Sequence, residues 1–165
     1  MRIAILSDSH DHRDLLHQCI EKIYTLDIDH IIHLWDYIAP WASLWPLLDT
    51  SIPMTWIFWN NDWERWKITK LFEQAEHATL HWRIFWSTEL DWKKIFLSHF
   101  PDLAPIAAAS WMYDVVLYWH NHLRESSVQK NWTIICNPGA VCWDKEPASF
   151  AVLDTKHNSI EHIEI

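Results

Sequence analysis

Residues 1–10, MRIAILSDSH, open the chain with a short apolar run at 2–7, which is typical of a buried strand. A polar loop follows, and residues 13–26 then carry apolar side chains at helical spacing: Leu15, Leu16, Cys19, Ile20 and Ile23. A strand that leads through a polar loop into a helix is the first unit of an α/β arrangement. This stretch therefore predicts a fold built on parallel strands.

The rest of the chain extends this pattern without a linker or an internal repeat. Further strands are predicted at 31–34, 54–58, 84–90, 93–98, 115–118, 125–130, 133–136, 149–153 and 160–165, and further helices at 40–49 and 102–111. Residues 62–82 carry no readable motif. We therefore expect a single domain over residues 1–165, with an α/β fold of two packed mixed β-sheets flanked by helices.

Charge and cysteine content narrow the class of protein. Thirteen Lys and Arg stand against 22 Asp and Glu, which gives a formal net charge of −9 and opposes strong binding to nucleic acid or to an anionic membrane. The odd set Cys19, Cys136 and Cys142 contains no CxxC pair and favours reduced thiols. Asp8 interrupts the first apolar run too early for a signal peptide. We expect a cytoplasmic protein, and self-association into a homo-oligomer stays open.

Glycine and tryptophan are present in unusual numbers. The chain has one glycine, Gly139, and 14 tryptophans, whereas average usage predicts roughly 12 glycines at this length. Two predicted hairpin connections read Asp91-Trp92 and Asn131-Trp132. Such turns normally contain glycine because their central residues need positive φ. Tryptophan thus stands where the backbone is expected to require glycine.

Five short polar segments follow apolar runs and supply candidate metal ligands. These ligands are Asp8, His10, Asp36, Asn60, His99, His120 and His122. Ligands of open α/β sheets gather beyond the carboxyl ends of strands, so the five segments are expected to meet in one crevice. A mixed set of carboxylate, amide and imidazole donors suits Mn, Fe, Ni or Zn. Taken singly, each segment also fits a structural reading, such as a helix cap at Asp36 or a turn at 60–62.

The order of these segments resembles the calcineurin-like metallophosphoesterase superfamily, whose pattern runs D-x-H, GD, GN-x-D/E, H and GH-x-H. The late segment Asn137-Pro138-Gly139 resembles that of the small single-domain phosphodiesterases in this superfamily. The resemblance covers essentially the whole chain. It implies a four-layer α/β/β/α sandwich.

The resemblance also implies a role for each ligand. Asp8, His10 and His122 would hold one divalent metal, and Asn60, His99 and His120 the other. Asp36 would bridge the two ions, with Mn expected and Ni, Fe or Zn as alternatives. A hydroxide between the metals would be the nucleophile. Asn61 and Asp62 would contact the phosphate or orient a ligand.

The resulting expectation is a metal-dependent phosphodiesterase that acts on a small phosphodiester. A non-catalytic interaction scaffold with the same fold is the first alternative. The second is a chain that binds metal without turnover, because Trp35, Trp59 and Trp119 directly precede ligands where the family has glycine. We interpret the tryptophans as replacements of family glycines, since reading all of them as glycine would restore an ordinary glycine content.

Overall fold

A computed structural model of the protein describes residues 1–34, 40–57, 65–81 and 85–165. In chain order the elements are β1 (Arg2–Leu6), α1 (Arg13–Tyr24), β2 (His30–His33), α2 (Pro40–Leu48), β3 (Met54–Ile57), α3 (Arg65–Gln74), β4 (Ala78–His81), β5 (Phe85–Leu90), β6 (Lys93–Ser98), α4 (Leu103–Ala109), β7 (Val115–Tyr118), β8 (Arg124–Val128), β9 (Ile134–Pro138), β10 (Ser149–Asp154) and β11 (Ser159–Glu164). No helix in these ranges has the length and apolar character needed to cross a membrane.

The strands form two mixed sheets. The first has six strands in the order β11-β10-β1-β2-β3-β4, with β1 to β4 parallel and β10 and β11 antiparallel at one side. The second has five strands in the order β5-β6-β7-β9-β8, with β6, β7 and β9 parallel between antiparallel edges. The predicted fold of two mixed sheets with flanking helices is confirmed.

Alternate side chains of the central strands of the second sheet pack into two different hydrophobic clusters, one on each face of the sheet. Ile95 and Leu97 of β6 join the main core together with residues of β1 and α1, whereas Phe96 packs on the opposite face with Ala104 and Ala108 of α4. Successive strand residues point to opposite faces, so one face of this sheet meets the rest of the core and the other is covered by α4. Both faces of β6 and β7 are therefore buried, as is usual for parallel strands.

Helix α1 shows how the local sequence meets this core. Its buried residues Leu16, Cys19, Ile20 and Ile23 recur at helical spacing along one face. Asp14 lies in the first turn and Lys22 in the last, where each charge complements the helix dipole. The helix begins where the sequence predicted and ends two residues earlier.

The interval 62–82, left without a prediction, contains α3 and β4. Ile68 and Phe72 of α3 are buried and lie four residues apart, so a helical signal is present but short. Strand β4 extends the first sheet by pairing Met54 with Ala78 in parallel register. Its side chains are half-buried or exposed, which gave no apolar run to detect.

Three described tryptophans lie in turns with left-handed backbone: Trp92 and Trp132 in hairpins, and Trp111 after α4 with φ of 61°. In the β5–β6 hairpin, Leu90 pairs with Lys93, and both connecting residues have positive φ, 48° at Asp91 and 67° at Trp92. This pattern is that of a type I′ turn, which normally selects glycine at the second position. Trp92 therefore occupies the backbone conformation predicted for it.

The β8–β9 hairpin differs from its prediction by one residue. Val128 pairs with Ile134, and Gln129 donates its N–H to the carbonyl of Thr133 at 2.9 Å, which leaves a three-residue loop over 130–132. A loop of this length usually ends in a left-handed residue, and Trp132 has φ of 68°. The expected two-residue turn was wrong in length, whereas the expected positive φ is confirmed.

Candidate metal centre

Three strands deliver the described candidate ligands to one place. Asp8 and His10 follow β1, His99 follows β6, and His120 and His122 follow β7. Strands β6 and β7 are parallel neighbours in the second sheet, while β1 lies in the first. The carboxyl ends of the two sheets meet here, because Asp8 Oδ1 lies 3.4 Å from His122 Nε2 across the gap between the sheets. The predicted convergence at strand ends is thus present for these five residues.

The first group of ligands consists of Asp8, His10 and His122. Asp8 Oδ1 lies 3.8 Å from His10 Nε2, and the two imidazole rings are 5.1 Å apart between centroids. Asp8 is 1% exposed, and within the described part of the chain neither of its carboxylate oxygens accepts a hydrogen bond. A buried carboxylate without such partners is costly unless it pairs with a cation. This group therefore fits a divalent metal ion.

The second group consists of His99 and His120, whose ring centroids are 4.3 Å apart. His99 is 3% exposed, and its burial lowers its pKa to about 4, with a further lowering by His120 that Asp8 partly opposes. Its imidazole is consequently neutral at pH 7, and the neutral form is the one that binds a metal. The influence of Asp8 on His99 also shows that the two groups are neighbours.

The backbone of these loops is strained. Four of the five described ligands have positive φ: Asp8 at 51°, His10 at 41°, His120 at 90° and His122 at 60°. Residues other than glycine seldom adopt this region, and where they do the strain clusters at functional sites. The left-handed backbone turns the ligand side chains toward one another across the crevice.

Asp144 is a residue of the site that the sequence did not reveal. Its Oδ2 lies 2.7 Å from Nδ1 of His122, which leaves Nε2 of that ring directed toward Asp8. The contact with Asp8, reinforced by the hydrogen bond to Asp144, raises the pKa of His122 above its ordinary value. A carboxylate behind a histidine is the usual device that orients a metal-binding imidazole. Asp144 lies 22 residues further along the chain, so no local spacing links it to His122.

Asn121 stabilises the loop between the two β7 ligands. Its Oδ1 accepts hydrogen bonds from the backbone of Leu123 at 3.1 Å and from the side chain of Asn137 at 2.7 Å. Lys145 Nζ donates to its carbonyl at 3.0 Å. These bonds tie the His120–His122 loop to the segment that contains Asn137.

Trp119 is the described tryptophan that immediately precedes a ligand. It is fully buried, and its ring lies 5.2 Å from that of His99 in an edge-on arrangement. Within the described residues its indole Nε1 has no hydrogen-bond partner. A large side chain thus occupies the wall of the site beside the second ligand group.

The remaining predicted residues lie outside the described ranges. These are the bridging ligand, the amide ligand, their two neighbours and the associated tryptophans: Asp36, Asn60, Asn61, Asp62, Trp35, Trp59 and Trp63. Their assignments stay predictions from the sequence.

Comparison with known proteins gives a relative that matches over nearly the whole chain and several solved structures with the same fold. Phosphodiesterase MJ0936 of Methanocaldococcus jannaschii is 28% identical over 167 residues, which cover 99% of this chain and 98% of that protein. The solved structure of an archaeal phosphodiesterase superposes with a TM-score of 0.85 at 27% identity, with both chains fully covered.

More distant structures share the fold. YfcE, a phosphoesterase from E. coli, superposes with a TM-score of 0.57 at 18% identity, with 100% of each chain covered. Vps29 from Entamoeba histolytica in complex with Zn²⁺ has a TM-score of 0.66 at 13% identity, with 100% of this chain and 98% of Vps29 covered. Residues 1–158 match the calcineurin-like phosphoesterase superfamily domain. The chain therefore belongs to the calcineurin-like phosphoesterase superfamily.

Proposed function

We propose that this protein is a metal-dependent phosphodiesterase that hydrolyses a small phosphodiester. The observation that carries the proposal is the convergence of the buried Asp8 carboxylate with two pairs of histidines, His10 with His122 and His99 with His120. The relationship to phosphodiesterase MJ0936 over nearly the full length supports the same activity. The catalytic unit is one domain spanning residues 1–165.

The ligands divide between two divalent metals. Asp8, His10 and His122 would hold the first, and His99 and His120 would hold the second together with Asn60, while Asp36 would contribute its carboxylate to both. When bound, the two ions supply a bridging hydroxide as nucleophile and neutralise charge on the attacked phosphate. Mn is the proposed metal, with Ni, Fe or Zn as alternatives, because the donors are mainly oxygen and imidazole nitrogen.

The protein's own residues prepare this centre. Burial keeps the His99 imidazole neutral, since its pKa is lowered to about 4, and Asp144 fixes the orientation of His122 through the 2.7 Å contact. By its chemistry, Asn61 would be able to donate a hydrogen bond to the phosphate but has no proton to give a leaving group, and Asp62 would orient a neighbouring ligand. Substrates whose leaving group needs no protonation are therefore favoured.

The net charge of the protein narrows the kinds of partner that we expect. The formal net charge of −9 disfavours long nucleic acids and anionic membranes as partners. We expect the enzyme to act in the cytoplasm on small anionic diesters, with the metals drawing the substrate into an otherwise acidic protein. Homo-oligomers are compatible with this activity.

A chromogenic bis-aryl phosphate tests the proposal. Purified protein loaded with Mn²⁺ is expected to hydrolyse it, to lose activity on chelation and to regain it on addition of Mn²⁺. His120→Ala should abolish turnover, whereas His157→Ala, at an exposed histidine paired with Asp154, should leave it unchanged. A folded, metal-loaded protein without turnover contradicts the proposal.

One observation favours a second candidate, a protein that binds metal but catalyses nothing. Trp119 fills space beside His99 where the family pattern has glycine. The same assay separates the candidates, because this second one predicts stoichiometric metal with zero turnover. A scaffold without metal, the third candidate, predicts neither and is disfavoured by the buried Asp8 carboxylate, whose oxygens accept no hydrogen bond within the described residues.

A further inference from the structure

The segment after Gly139 brings a thiol to the first ligand group. One nitrogen of His10, one nitrogen of His122 and Sγ of Cys142 all lie within 4.8 Å of one another. Cys142 is 4% exposed, and Asp8, which faces the same two histidines, is 1% exposed. Oxygen, nitrogen and sulfur donors thus surround one small volume. The sequence-based ligand set contained no cysteine.

Backbone hydrogen bonds hold this thiol in place. Val141 donates its N–H to the carbonyl of Ser7 at 2.9 Å, and Cys142 donates its N–H to the carbonyl of Asp8 at 3.0 Å. The hydroxyl of Ser7 donates to the carbonyl of Gly139 at 2.6 Å. Residues 139–142 are therefore joined to the loop that carries Asp8, so the thiol is positioned by the fold itself.

The unpartnered carboxylate gives an independent reason to place a cation here. Both Asp8 oxygens lack a hydrogen-bond partner in the described part of the structure, and Oδ1 is 3.4 Å from His122 Nε2. Donor atoms around a tetrahedral zinc lie about 3.3 to 3.6 Å apart, given Zn–N near 2.0 Å and Zn–S near 2.3 Å. The Asp8–His122 pair already has this spacing, and the Cys142 thiol lies within 4.8 Å of a ring nitrogen of His10 and of His122.

We propose that Cys142 is a further ligand of the metal held by Asp8, His10 and His122, bound as a thiolate, and that it gives this position a preference for zinc over manganese. The inference rests on the ligand set of the proposed function and replaces manganese by zinc at this one position. Soft thiolate donors select zinc, whereas oxygen donors suit manganese. On binding, the Cys142 thiol releases its proton to solvent and its sulfur forms the bond to the metal.

Cobalt titration of the metal-free protein tests the proposal without an activity assay. Binding should produce visible d–d absorption together with a thiolate-to-cobalt charge-transfer band at wavelengths above the indole absorption. Cys142→Ser should abolish the charge-transfer band and keep the d–d bands. Cys136→Ser is the matched control, because Cys136 is fully buried near His162 and outside this cluster, and it should keep both.

Two further measurements extend the test, and the first uses only the wild-type protein, so it does not depend on how the variant folds. X-ray absorption of the zinc-loaded wild-type protein should show a sulfur neighbour at about 2.3 Å. Competition between Zn²⁺ and Mn²⁺ should show that Cys142→Ser weakens zinc binding at least about ten-fold and manganese binding far less. Cobalt binding with only nitrogen and oxygen neighbours overturns the role of Cys142 and leaves the metal centre intact. No cobalt binding at all overturns the metal centre of the proposed function as well.

Discussion

The ligand loops and the hairpin tips both contain residues other than glycine with positive φ, but the residue types differ. Asp8 and His120 have φ of 51° and 90° in the crevice, while Trp92 and Trp132 have φ of 67° and 68° in turns. The ligand loops are held from several sides, as the bonds of Ser7 and Asp8 to residues 139–142 show. The two turn tryptophans are 88% and 77% exposed, so few contacts compensate their strain.

This difference separates strain with a function from strain without one. In the crevice, the residues with positive φ carry carboxylate and imidazole ligands of a shared centre, and glycine cannot replace them because it supplies no ligand. At the hairpin tips the backbone only reverses direction, which glycine does at lower cost. The comparison can be tested by changing each region in turn.

The largest effect is expected for Asp8→Asn. Loss of the charge should reduce phosphodiester turnover by at least about a thousand-fold, because the carboxylate is proposed to bind the first metal. The same change should stabilise the metal-free protein by about 1 to 3 kcal/mol, since it removes a buried charge without hydrogen bonds. Turnover assays and denaturant unfolding in chelator measure the two effects.

Asp27→Asn is the matched control for this change. Asp27 has φ of 50°, as Asp8 has 51°, but it lies on the surface away from the ligands. Neither turnover nor stability should change appreciably. If Asp8→Asn behaved like the control, the Asp8 carboxylate would have no part in turnover, which would contradict its proposed role as a metal ligand.

Asp144→Ala tests how the ligand loop is supported. Without the carboxylate that holds Nδ1, the His122 ring loses its fixed orientation, and affinity for the first metal should fall about 10- to 100-fold. Competition with a chromophoric chelator measures the affinity. Glu161→Ala, at an exposed acid of β11, should leave it unchanged. If both variants bound the metal with the same affinity, Asp144 would have no role in orienting His122.

Trp92→Gly should raise stability, by about 1 kcal/mol, because relief of strain at positive φ exceeds the entropy that glycine adds to the unfolded chain. Trp66→Gly provides the opposite case, since Trp66 is 71% exposed and lies in α3, where glycine should lower stability by about 1 kcal/mol. Chemical denaturation measures both variants. A loss of stability at Trp92 would show that the indole makes a contribution that outweighs the strain.

The smallest expected effect is the change in the stability of the metal-free protein with pH. Burial lowers the pKa of His30 and His99 to about 4, so both are neutral when folded and take up protons on unfolding as pH falls below about 6.5. Their contribution to the stability of metal-free protein is therefore complete above pH 6.5 and is lost as the pH falls toward 4. Trp132→Gly is expected to raise stability for the same reason as Trp92→Gly. This gain in stability involves no titrating group and should differ by less than about 0.3 kcal/mol between pH 7 and 5.

Measurements of unfolding at pH 7, 6 and 5 check both parts of this prediction. Stability of the metal-free wild-type protein that rises as pH falls would contradict the assignment of buried neutral histidines. A gain from Trp132→Gly that changes with pH would show that the hairpin tip is coupled to the charged groups of the protein.

Local sequence predicted what depends on local spacing. The two-residue spacing of Asp8 and His10, and of His120 and His122, indicated that each pair of side chains reaches the same crevice, and the positive φ of Trp92 follows from its place between two strands. The short helix around Ile68 and Phe72 was missed because two apolar residues are a weak periodic signal, and β4 was missed because it is not buried. Asp144 and Cys142 reach the site through a long-range path in the fold, which spacing along the chain does not reveal.

The pairing of β1 with β10 has a consequence for the order in which the molecule assembles. Arg2 pairs with Asp154 and Ile5 with Ala151, so β1 is completed on one side by residues that are synthesised long after it. Contacts so distant along the chain form slowly. On the ribosome, β1 stays unpaired on that side until β10 has been translated. The loop that carries Asp8 acquires its bonds to 139–142 only after that segment has been made, so the first ligand group is held in place only from that point on.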